Sequence, residues 1–522
     1  MTDRNKTLTI SELMLYLYFI VMYGARALGI VEGNFVYNVV LVIGAAFIFV
    51  RLISTEYTLF EIAVMGGIFI FAAISYVLSG EKGIVLYLCL MFGLKGISSR
   101  NLIKTATLIS AIAFPVLAVL SLTGIKHDTI WYIRRGLFGT STDAVIRWSL
   151  GYHHSNVCHI VFLILCAMIL YLTPKKRTFI CSCVLAFWNV ILYFYTYSRT
   201  GVLCVFLLIG LNGYWAFKEK IGSIGKAISI AVYPVLAIGS VILPYMIKPG
   251  ETFDRIDALT SWRLSKSYNF IHDLSIPILG QRLDLELATM LDSSYLYVLG
   301  QNGLLVAIIM LAINIATVVY LIRKNDYKAL AVVLIIQIAG SMEPFMYNIS
   351  FRNIAFIFYG EAFFSVMKSK YGRNIRILKL DNEVKTIGVL AEMINGGVRH
   401  LVQTFYRRIG MILGISAVIG LIFSVFIALV TPWPTIVYSC DENYVDYPER
   451  LTYLTQKDVR EIEDDGGLVI NYKDDSKPVY DIPYDYGYVY WFSVITKTLM
   501  VFVAVALLIT IVLNRGHDHE GT

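Results

Sequence analysis

The sequence predicts an all-α integral membrane protein that crosses a bilayer many times, on three observations. Of its 522 residues, 57% are hydrophobic and only 16% are charged. Runs of roughly 20 apolar residues, the length that crosses a bilayer core, recur along the whole chain. Short basic loops between these runs fall on one side of the predicted membrane. The composition excludes a soluble globular protein, which could not bury so much apolar surface.

The apolar runs divide into about twelve core spans followed by two C-terminal spans. The first run has no convincing cleavage site, so we interpret it as a retained span and not as a signal peptide. The fourth run is short. The predicted spans are residues 12–30, 35–52, 57–78, 83–96, 102–123, 154–172, 179–196, 201–217, 227–247, 295–322, 329–344, 354–368, 409–431 and 490–513.

Basic loops orient these spans. They are SSRNLIK (98–104), PKKR (174–177), KEK (218–220) with Lys226, and Arg323-Lys324 with Lys328. Because cytoplasmic loops keep an excess of lysine and arginine, both termini are predicted to be cytoplasmic. The net charge of +7 follows from the same rule, and we expect no nucleic-acid partner.

The spans define the predicted organisation. The membrane core carries two large outer loops, and a mixed basic linker follows it in the cytoplasm. The last two spans form a C-terminal module around a short, acidic, tyrosine-rich outer segment. The predicted bounds are 1–368 for the core, 124–153 and 248–294 for its outer loops, 369–408 for the linker, 409–522 for the module and 432–489 for its outer segment.

Arginine and lysine divide unevenly between the two faces within the first 368 residues. The cytoplasmic face favours lysine, which is enough to set topology, and the outer face favours arginine. The planar arginine fork binds phosphate through two donors and stays charged when partly dehydrated. The outer arginines therefore predict an anionic ligand, phosphate or pyrophosphate first, with lipid headgroups or acidic loop residues as the alternative. They are Arg134, Arg135, Arg147, Arg199, Arg255, Arg263, Arg282 and Arg352.

The stretch YTYSRTGVL joins the seventh and eighth spans with almost no loop. Ser198 or Thr200 is expected to cap the eighth helix, and Gly201 allows another group to approach the backbone. Because this helix begins at the outer face, its free N–H groups and positive dipole end lie beside Arg199. This combination predicts an anion site, with a snorkelling interfacial arginine as the alternative.

Three further outer segments carry polar residues. In WSLGYHHSN, His154 and Asn156 are candidates to bind a sugar or phosphate, or to cap the sixth span. His154, Cys158 and His159 do not share one helix face, so we predict no metal site there. In loop 248–294 a helix is expected over 260–273, capped by Thr260 or Ser261, with Arg263, Lys266 and Asn269 near one face. The turn PILG (277–280) ends it, and Arg282 follows.

Two carboxylates lie near predicted span ends. Asp292, in DSSYLYVLGQNG, is either a general base for a sugar hydroxyl or the N-cap of the tenth span. Glu343, in SMEPFMYNISFRN, is accompanied by Arg352, and pairing with each other is the alternative to a functional role for these two residues. No nucleotide-binding or zinc-protease motif stands in a suitable context, which weighs against an ATP-driven pump.

The order of these motifs resembles that of bacterial O-antigen and capsular polysaccharide polymerases of the Wzy type, in the superfamily of the O-antigen ligases. The shared features are the SRTG turn, an outer loop with W-R and P-x-L-G, the D-S-S-Y-L-Y segment and M-E-P. The resemblance covers roughly residues 1–370. GYHHSN is similar to a further element of that family, although Ser155 replaces its proline.

The resemblance implies a membrane glycosyltransferase of GT-C-like fold that needs no metal or other cofactor. It would polymerise undecaprenyl-diphosphate-linked repeat units at the outer face of the bacterial cytoplasmic membrane, with a chain-length regulator and a flippase as further partners. Asp292 stands where the ligases usually have histidine, which favours a polymerase. The implied residues are Arg199 and Arg263, with Arg147 and Arg282, for the pyrophosphate; Asp292 as base; and His154, Asn156, Ser198, Tyr295, Glu343 and Arg352 for the rest of the substrate.

Two rivals stay open at this point. An O-antigen-type ligase would transfer glycan onto another acceptor. A transporter or flippase of the lipid-linked unit would also need an arginine-lined cavity, but such proteins often contain internal repeats, and none is evident. The C-terminal module resembles a chain-length regulator only faintly, and a partner-binding or folding module is the alternative.

Overall fold

A computed structural model describes the chain in two compact units. One unit comprises 9–117 and 155–382, which we call the bundle unit, and the other comprises 1–8, 118–154 and 383–522. The predicted cap Ser261, the loop KEK, Cys440 and most of the linker lie outside the described residues. The structure describes residues 8–518 except 124, 127, 129, 135–143, 218–220, 261–262, 274–275, 284–290, 368–373, 385–399, 401–402, 431–433, 440–450, 456–458, 465–467, 473–478 and 482–485.

The prediction of an all-α polytopic membrane protein is confirmed. In the described part of the chain, ten helices are long and apolar enough to cross a membrane, and four more are apolar but shorter. Each predicted span corresponds to one of these helices. The first nine are α1 (Ile10–Ala27), α2 (Phe35–Ser54), α3 (Leu59–Ser79), α4 (Gly83–Gly93), α5 (Ser99–Leu122), α6 (Ser155–Leu172), α7 (Thr178–Thr196), α8 (Arg199–Phe217) and α9 (Ser223–Met246).

The second half of the chain adds shorter elements between its spans. Two helices, α10 (Glu251–Thr260) and α11 (Arg263–Asp273), lie in the predicted outer loop 248–294, which follows α9. The remaining helices are α12 (Ser294–Tyr297), α13 (Leu304–Lys324), α14 (Tyr327–Gly340), α15 (Ala355–Val366), α16 (Ile409–Val430) and α17 (Tyr486–Asp518).

Helix α14 lies at the centre of the bundle unit and packs against α6, α8, α9, α13 and α15. Twelve of its residues, among them Ala329 to Gln337, are buried. A helix that is apolar on every face is typical of a protein interior. Protein surrounds α14 and α15 on most sides, so they need not match the full thickness of a lipid bilayer, which accounts for their short lengths.

The predicted span 295–322 is one helix in the sequence pattern but two in the structure. A π-helical turn, Val298–Asn302, follows α12, and α13 begins only after Gly303, whose φ is +92°. A Cβ on Gly303 would lie 2.5 Å from the backbone nitrogen of Gly280, so only glycine fits this close contact. The prediction of an uninterrupted span was wrong because it ignored this packing.

The PILG turn closes this interruption. The carbonyls of Pro277 and Ile278 accept hydrogen bonds from the backbone N–H groups of Leu304 and Leu305, at 2.9 and 3.1 Å. The first N–H groups of α13 therefore have partners although no side chain caps the helix. PILG is thus a backbone cap for a membrane helix as well as the end of a loop.

The second unit contains a β-sheet that the sequence analysis did not predict. It has seven strands in the order β4-β3-β8-β7-β11-β10-β9, all antiparallel. Strands β3 and β4 come from the outer loop before α6, and the others from the segment between α16 and α17, which pack against each other. The strands are β3 (Ile130–Arg134), β4 (Ala144–Trp148), β7 (Pro434–Ser439), β8 (Leu451–Thr455), β9 (Val459–Asp464), β10 (Leu468–Tyr472) and β11 (Val479–Asp481).

The described secondary structure also includes a 3₁₀ turn, Lys175–Arg177, and four two-residue strands. They are β1 (Leu8–Thr9), β2 (Tyr57–Thr58), β5 (Asn374–Ile375) and β6 (Glu383–Val384), paired as β1–β6 and β2–β5.

Contacts between loops sort the helix ends of the bundle unit into two groups. Arg26, in the last turn of α1, donates to the carbonyl of Ile349, so the C-terminal end of α1 and segment 341–354 lie at one end. Lys328, at the start of α14, contacts the carbonyl of Thr173 at the other end. This grouping agrees with the alternation that the span order requires. Which end faces the cytoplasm stays a prediction.

Candidate functional site

The SRTG turn forms the tight connection that the sequence predicts. Helix α7 ends at Tyr197, which takes a left-handed backbone conformation with φ of 43°. Ser198 is almost fully buried, and its Oγ accepts a hydrogen bond from the N–H of Gly201 at 3.4 Å. Ser198 is therefore the cap of α8, one of the two expected candidates, and Arg199 is the first residue of that helix. Arg199 is partly exposed at a helix N-terminus, where the dipole favours an anion.

His159 lies directly beneath this turn and was not predicted to have a role there. Its Nδ1 is 2.9 Å from Thr196 Oγ1, and its Nε2 is 2.8 Å from Asn189 Oδ1. A Cβ on Gly201 would lie 2.4 Å from His159 Cγ, so the imidazole fills the space that this glycine leaves. The only sequence signal was a histidine inside an apolar run, which indicates a buried partner without identifying it.

The outer loop that follows α9 folds into two helices where one was predicted. Thr260 ends α10, and its hydroxyl donates to the carbonyl of Ile256 at 3.0 Å, so the expected capping role of Thr260 was wrong. Asp257 supplies the cap instead: its buried Oδ1 accepts from the N–H of Ser265 at 2.9 Å. A carboxylate in the preceding helix satisfies the first turn of α11.

Helix α11 brings two basic side chains against two carboxylates. Arg263 Nη2 is 2.7 Å from Glu343 Oε1, and the exposed fractions of the two side chains are 16% and 10%. Lys266 Nζ is 3.4 Å from Asp292 Oδ2, in a more exposed position. The prediction that Arg263 and Lys266 share a face agrees with these contacts. Asn269 is exposed.

Glu343 has a partner that the sequence did not indicate. Its carboxylate forms an ion pair with Arg263, eighty residues away, and its alternative pairing with Arg352 stays a prediction. Arg352 is buried. The pairing of Glu343 with Arg263 joins two distant parts of the chain, so a local pattern could not indicate it.

Two hydrogen bonds to one serine hold the backbone around Glu343. Ser294 Oγ donates to the carbonyl of Glu343 at 2.5 Å and accepts from the N–H of Met346 at 3.1 Å. Ser294 belongs to the DSSYLY segment and is fully buried. The two sequence motifs that contain the candidate carboxylates are therefore one structural piece.

Asp292 lies in a partly exposed position, whereas Tyr295, three residues later, is buried inside the bundle. Ser293, and not Asp292, is the N-cap of α12, since its side chain accepts from the N–H of Tyr295. The alternative role of Asp292 as a cap is thereby excluded, and its carboxylate is directed to Lys266. The Tyr295 hydroxyl is buried and donates to the carbonyl of Gln337 at 2.8 Å, inside the bundle.

Arg282 is exposed, next to the turn between α3 and α4. A Cβ on Gly80 would lie 3.9 Å from its Nε. Glu81 follows in that turn and accepts from the N–H of Gly83 at 2.9 Å. Burial raises the pKa of the Glu81 carboxyl above its ordinary value, while its hydrogen bonds, including one from Tyr297, oppose the shift.

Arg147 and His154 belong to the other unit. Arg147 lies on β4 and is buried, and His154 is partly exposed just before α6. Asp128 accepts hydrogen bonds from the N–H groups of Leu150 and Gly151 at 3.1 and 2.9 Å, which fixes the turn after β4. Asn156 is partly exposed in the first turn of α6.

The bundle unit therefore gathers Arg199, Arg263, Lys266, Glu343 and Asp292 at one end, which we call the site end. Helix α8 packs against α14, whose last residue, Gly340, leads directly into segment 341–354. Fixed basic groups can hold an anion in such a place, and a carboxylate can accept a proton.

Comparison with known proteins identifies no family. No protein-family model, curated protein or solved structure matches this chain.

Proposed function

We propose that the protein polymerises undecaprenyl-diphosphate-linked oligosaccharide units into a surface polysaccharide, at the outer face of the bacterial cytoplasmic membrane. The observation that supports this proposal most is the ion pair between Arg263 and Glu343, at the end of the bundle unit where segment 341–354 lies. An arginine from an outer loop and Arg199 at a helix N-terminus suit a diphosphate, which carries charge on both phosphates.

In this proposal the arginines stabilise the leaving pyrophosphate. The growing glycan leaves its lipid diphosphate as the anomeric C–O bond breaks, and negative charge develops on the departing oxygen. Arg199, Arg263 and the dipole of α8 stabilise that charge. Asp292 takes the proton of the acceptor hydroxyl, which forms the new glycosidic bond.

Arg263 is suited to exchange partners during this reaction. It uses Nη2 on Glu343, Nη1 makes a long contact of 3.4 Å to the carbonyl of Thr260, and the buried Nε has no hydrogen-bond partner among the described residues. A buried donor without a partner has an unfavourable free energy, which an anionic ligand would relieve. Lys266 is likewise suited to exchange its carboxylate partner, Asp292, for an anionic ligand.

The test is a reconstitution in proteoliposomes with purified lipid-linked repeat units. We expect the wild type to form a ladder of longer lipid-linked glycans, and Arg199→Ala and Arg263→Ala to slow it about 100-fold or more, the typical loss of a transition-state donor. Arg255→Ala is the matched control, because Arg255 is 77% exposed on the neighbouring helix α10 and its ion pair there is with the equally exposed Glu251.

Other outcomes would contradict the proposal. A wild-type protein that only moves the lipid between leaflets would be a flippase, and one that transfers glycan only to a different acceptor would be a ligase. Equal activity of the Arg199→Ala and Arg255→Ala variants would remove Arg199 from the site.

A further inference from the structure

We infer that His159, together with Asn189, is a positioning residue that sets the direction of the first turn of α8, and hence of Arg199. This inference rests on the proposed role of Arg199 as a pyrophosphate ligand. Neither residue is at the surface: both side chains are completely buried. His159 acts through the SRTG turn, so it is not a catalytic residue itself.

The first part of the argument is steric. Gly201 stands two residues after Arg199, in the first turn of α8, and its Cα faces the imidazole. A Cβ there would lie 2.4 Å from Cγ and 2.5 Å from Cδ2 of His159, distances that packed atoms do not adopt. The imidazole ring is therefore packed directly against the backbone of the first turn of α8 at Gly201.

The second part concerns hydrogen bonds on both sides of the turn. Asn189 Nδ2 donates to the carbonyl of Val202 at 3.1 Å, which orients the amide so that its Oδ1 faces His159. A carbonyl oxygen only accepts, so His159 Nε2 carries a hydrogen and donates. Through Asn189 the imidazole is thus connected to the α8 side of the turn.

The connection to the α7 side runs through Thr196. Its Oγ1 shares its one hydrogen between His159 Nδ1 at 2.9 Å and the carbonyl of Leu192 at 3.0 Å, and it accepts the N–H of Ser198 at 3.4 Å. One ring therefore reaches the residues before and after Ser198 and Arg199, from a third helix, α6. The turn cannot rotate relative to α6 without breaking a buried hydrogen bond, which is unfavourable inside a membrane protein.

This arrangement has a functional consequence. A displacement of about 1 Å in a group that holds the reacting part of a substrate can slow a reaction about 100-fold. A side chain that only filled space at position 159 would be satisfied by a hydrophobic residue. The pairing of both ring nitrogens with the turn indicates that its orientation is what the histidine maintains.

The experiment is a double-mutant cycle between two side chains in contact. Gly201→Ala inserts a methyl group into the imidazole, and we expect kcat/KM of the reconstituted polymerisation to fall about 100-fold. His159→Ser removes the obstruction, so Gly201→Ala with His159→Ser should recover at least about tenfold over Gly201→Ala alone. His159→Gln, which keeps an N–H donor for Asn189, should retain more activity than His159→Ser.

The melting temperature Tm in detergent is measured for every variant. If the double variant recovers Tm but not kcat/KM, His159 serves folding alone and the inference is overturned. The same holds if the effects of the two single changes on kcat/KM simply multiply.

A substrate-free measurement separates this inference from the proposed function. Arg199→Cys is labelled with a charged thiol reagent in the His159 and His159→Ser backgrounds, and the labelling of the parent chains that retain Arg199 is subtracted. A changed rate at position 199 supports the positioning role even if no polymer forms. An unchanged rate overturns it, even if Arg199→Ala proves that Arg199 is essential.

Discussion

The two ends of the bundle unit use arginine differently. At the end opposite the site, Arg51 of α2 is buried and all three of its nitrogens donate: Nε to the carbonyl of Gly93, Nη2 to that of Lys95 and Nη1 to Ser11 Oγ. Its guanidinium closes the C-terminal end of the short helix α4. At the site end, Arg263 is partly exposed and its Nε has no hydrogen-bond partner among the described residues.

The difference distinguishes a structural arginine from one that can hold a ligand. A guanidinium carries five N–H donors, and one whose three nitrogens all donate to buried protein oxygens is fixed in place by the fold. Arg26, at the site end, is also structural by this criterion, since it donates to Ile349 and Ile30 and lies over the ring of Tyr37. Location at the site end is therefore not sufficient evidence for function.

Charge reversal of the Arg263–Glu343 pair is expected to have the largest effect on activity. Arg263→Glu combined with Glu343→Arg recreates an ion pair, so Tm should approach that of the wild type. Polymerisation should stay about 1,000-fold lower, because the positive charge no longer comes from α11. The measurement compares Tm in detergent with the initial rate in proteoliposomes. Recovery of both would make the pair structural, as at the opposite end.

Asp292→Asn is expected to lower kcat about 100-fold, the lower range for loss of a general base. The amide keeps the shape of the side chain but cannot take a proton. Asp254→Asn is the matched control, since Asp254 is an exposed carboxylate of α10. Initial rates at saturating donor measure the effect. Full activity of Asp292→Asn would remove this residue as the base.

Arg51→Ala should lower the free energy of unfolding by roughly 2 kcal/mol. It leaves the carbonyls of Gly93 and Lys95 without their donor, and one buried unsatisfied group costs about 1–3 kcal/mol. Denaturation in detergent measures the loss, and the rate per folded molecule should be unchanged. A selective loss of rate at unchanged stability would contradict the contrast between the two ends.

The smallest effect, a change in the pH dependence of Tm, is expected for Glu81→Gln. Burial raises the pKa of the Glu81 carboxyl above 4.5, so the folded protein binds this proton more tightly than the unfolded chain. The protonated Glu81 carboxyl therefore stabilises the folded protein fully below about pH 4.5. This contribution to the free energy of unfolding is lost as the pH rises through the raised pKa. Glu81→Gln should flatten Tm against pH in that window. An unaltered profile would show that Glu81 does not titrate there.

Much of the fold could be predicted because a bilayer imposes its length on the sequence. In the described part of the chain, each long or shorter apolar helix corresponds to a predicted apolar run, and the contact of Lys328 with Thr173 agrees with the predicted side of two basic loops. What the pattern could not give was the interruption before α13, since it depends on the contact of Gly303 with Gly280. The β3–β4 pair was missed, although IWYIR and AVIRW are rich in β-branched and aromatic residues.

The site was predicted less well than the fold. The cap at Ser198 and the shared face of Arg263 and Lys266 follow from local rules, and these rules succeeded. The pairing of Arg263 with Glu343 joins distant parts of the chain, which no local rule reaches. The cap from Asp257 and the support from His159 likewise arise from tertiary contacts. The proposed roles of Arg147, Arg282, His154 and Asn156 stay predictions.

The strand pairing between β3 and β8 has a practical consequence for anyone who shortens this chain. Ile130 pairs with Leu451, so the C-terminal module covers one side of a hairpin that comes from the outer loop before α6. Removal of 409–522 would expose that side of β3 as a bare row of backbone donors and acceptors, and uncovered strand edges promote self-association. A truncated protein that aggregates would thus report a lost neighbour and not a lost activity. Co-expression of residues 1–408 and 409–522 as two chains keeps β3 covered, so it tests the contribution of the module to activity without exposing that strand.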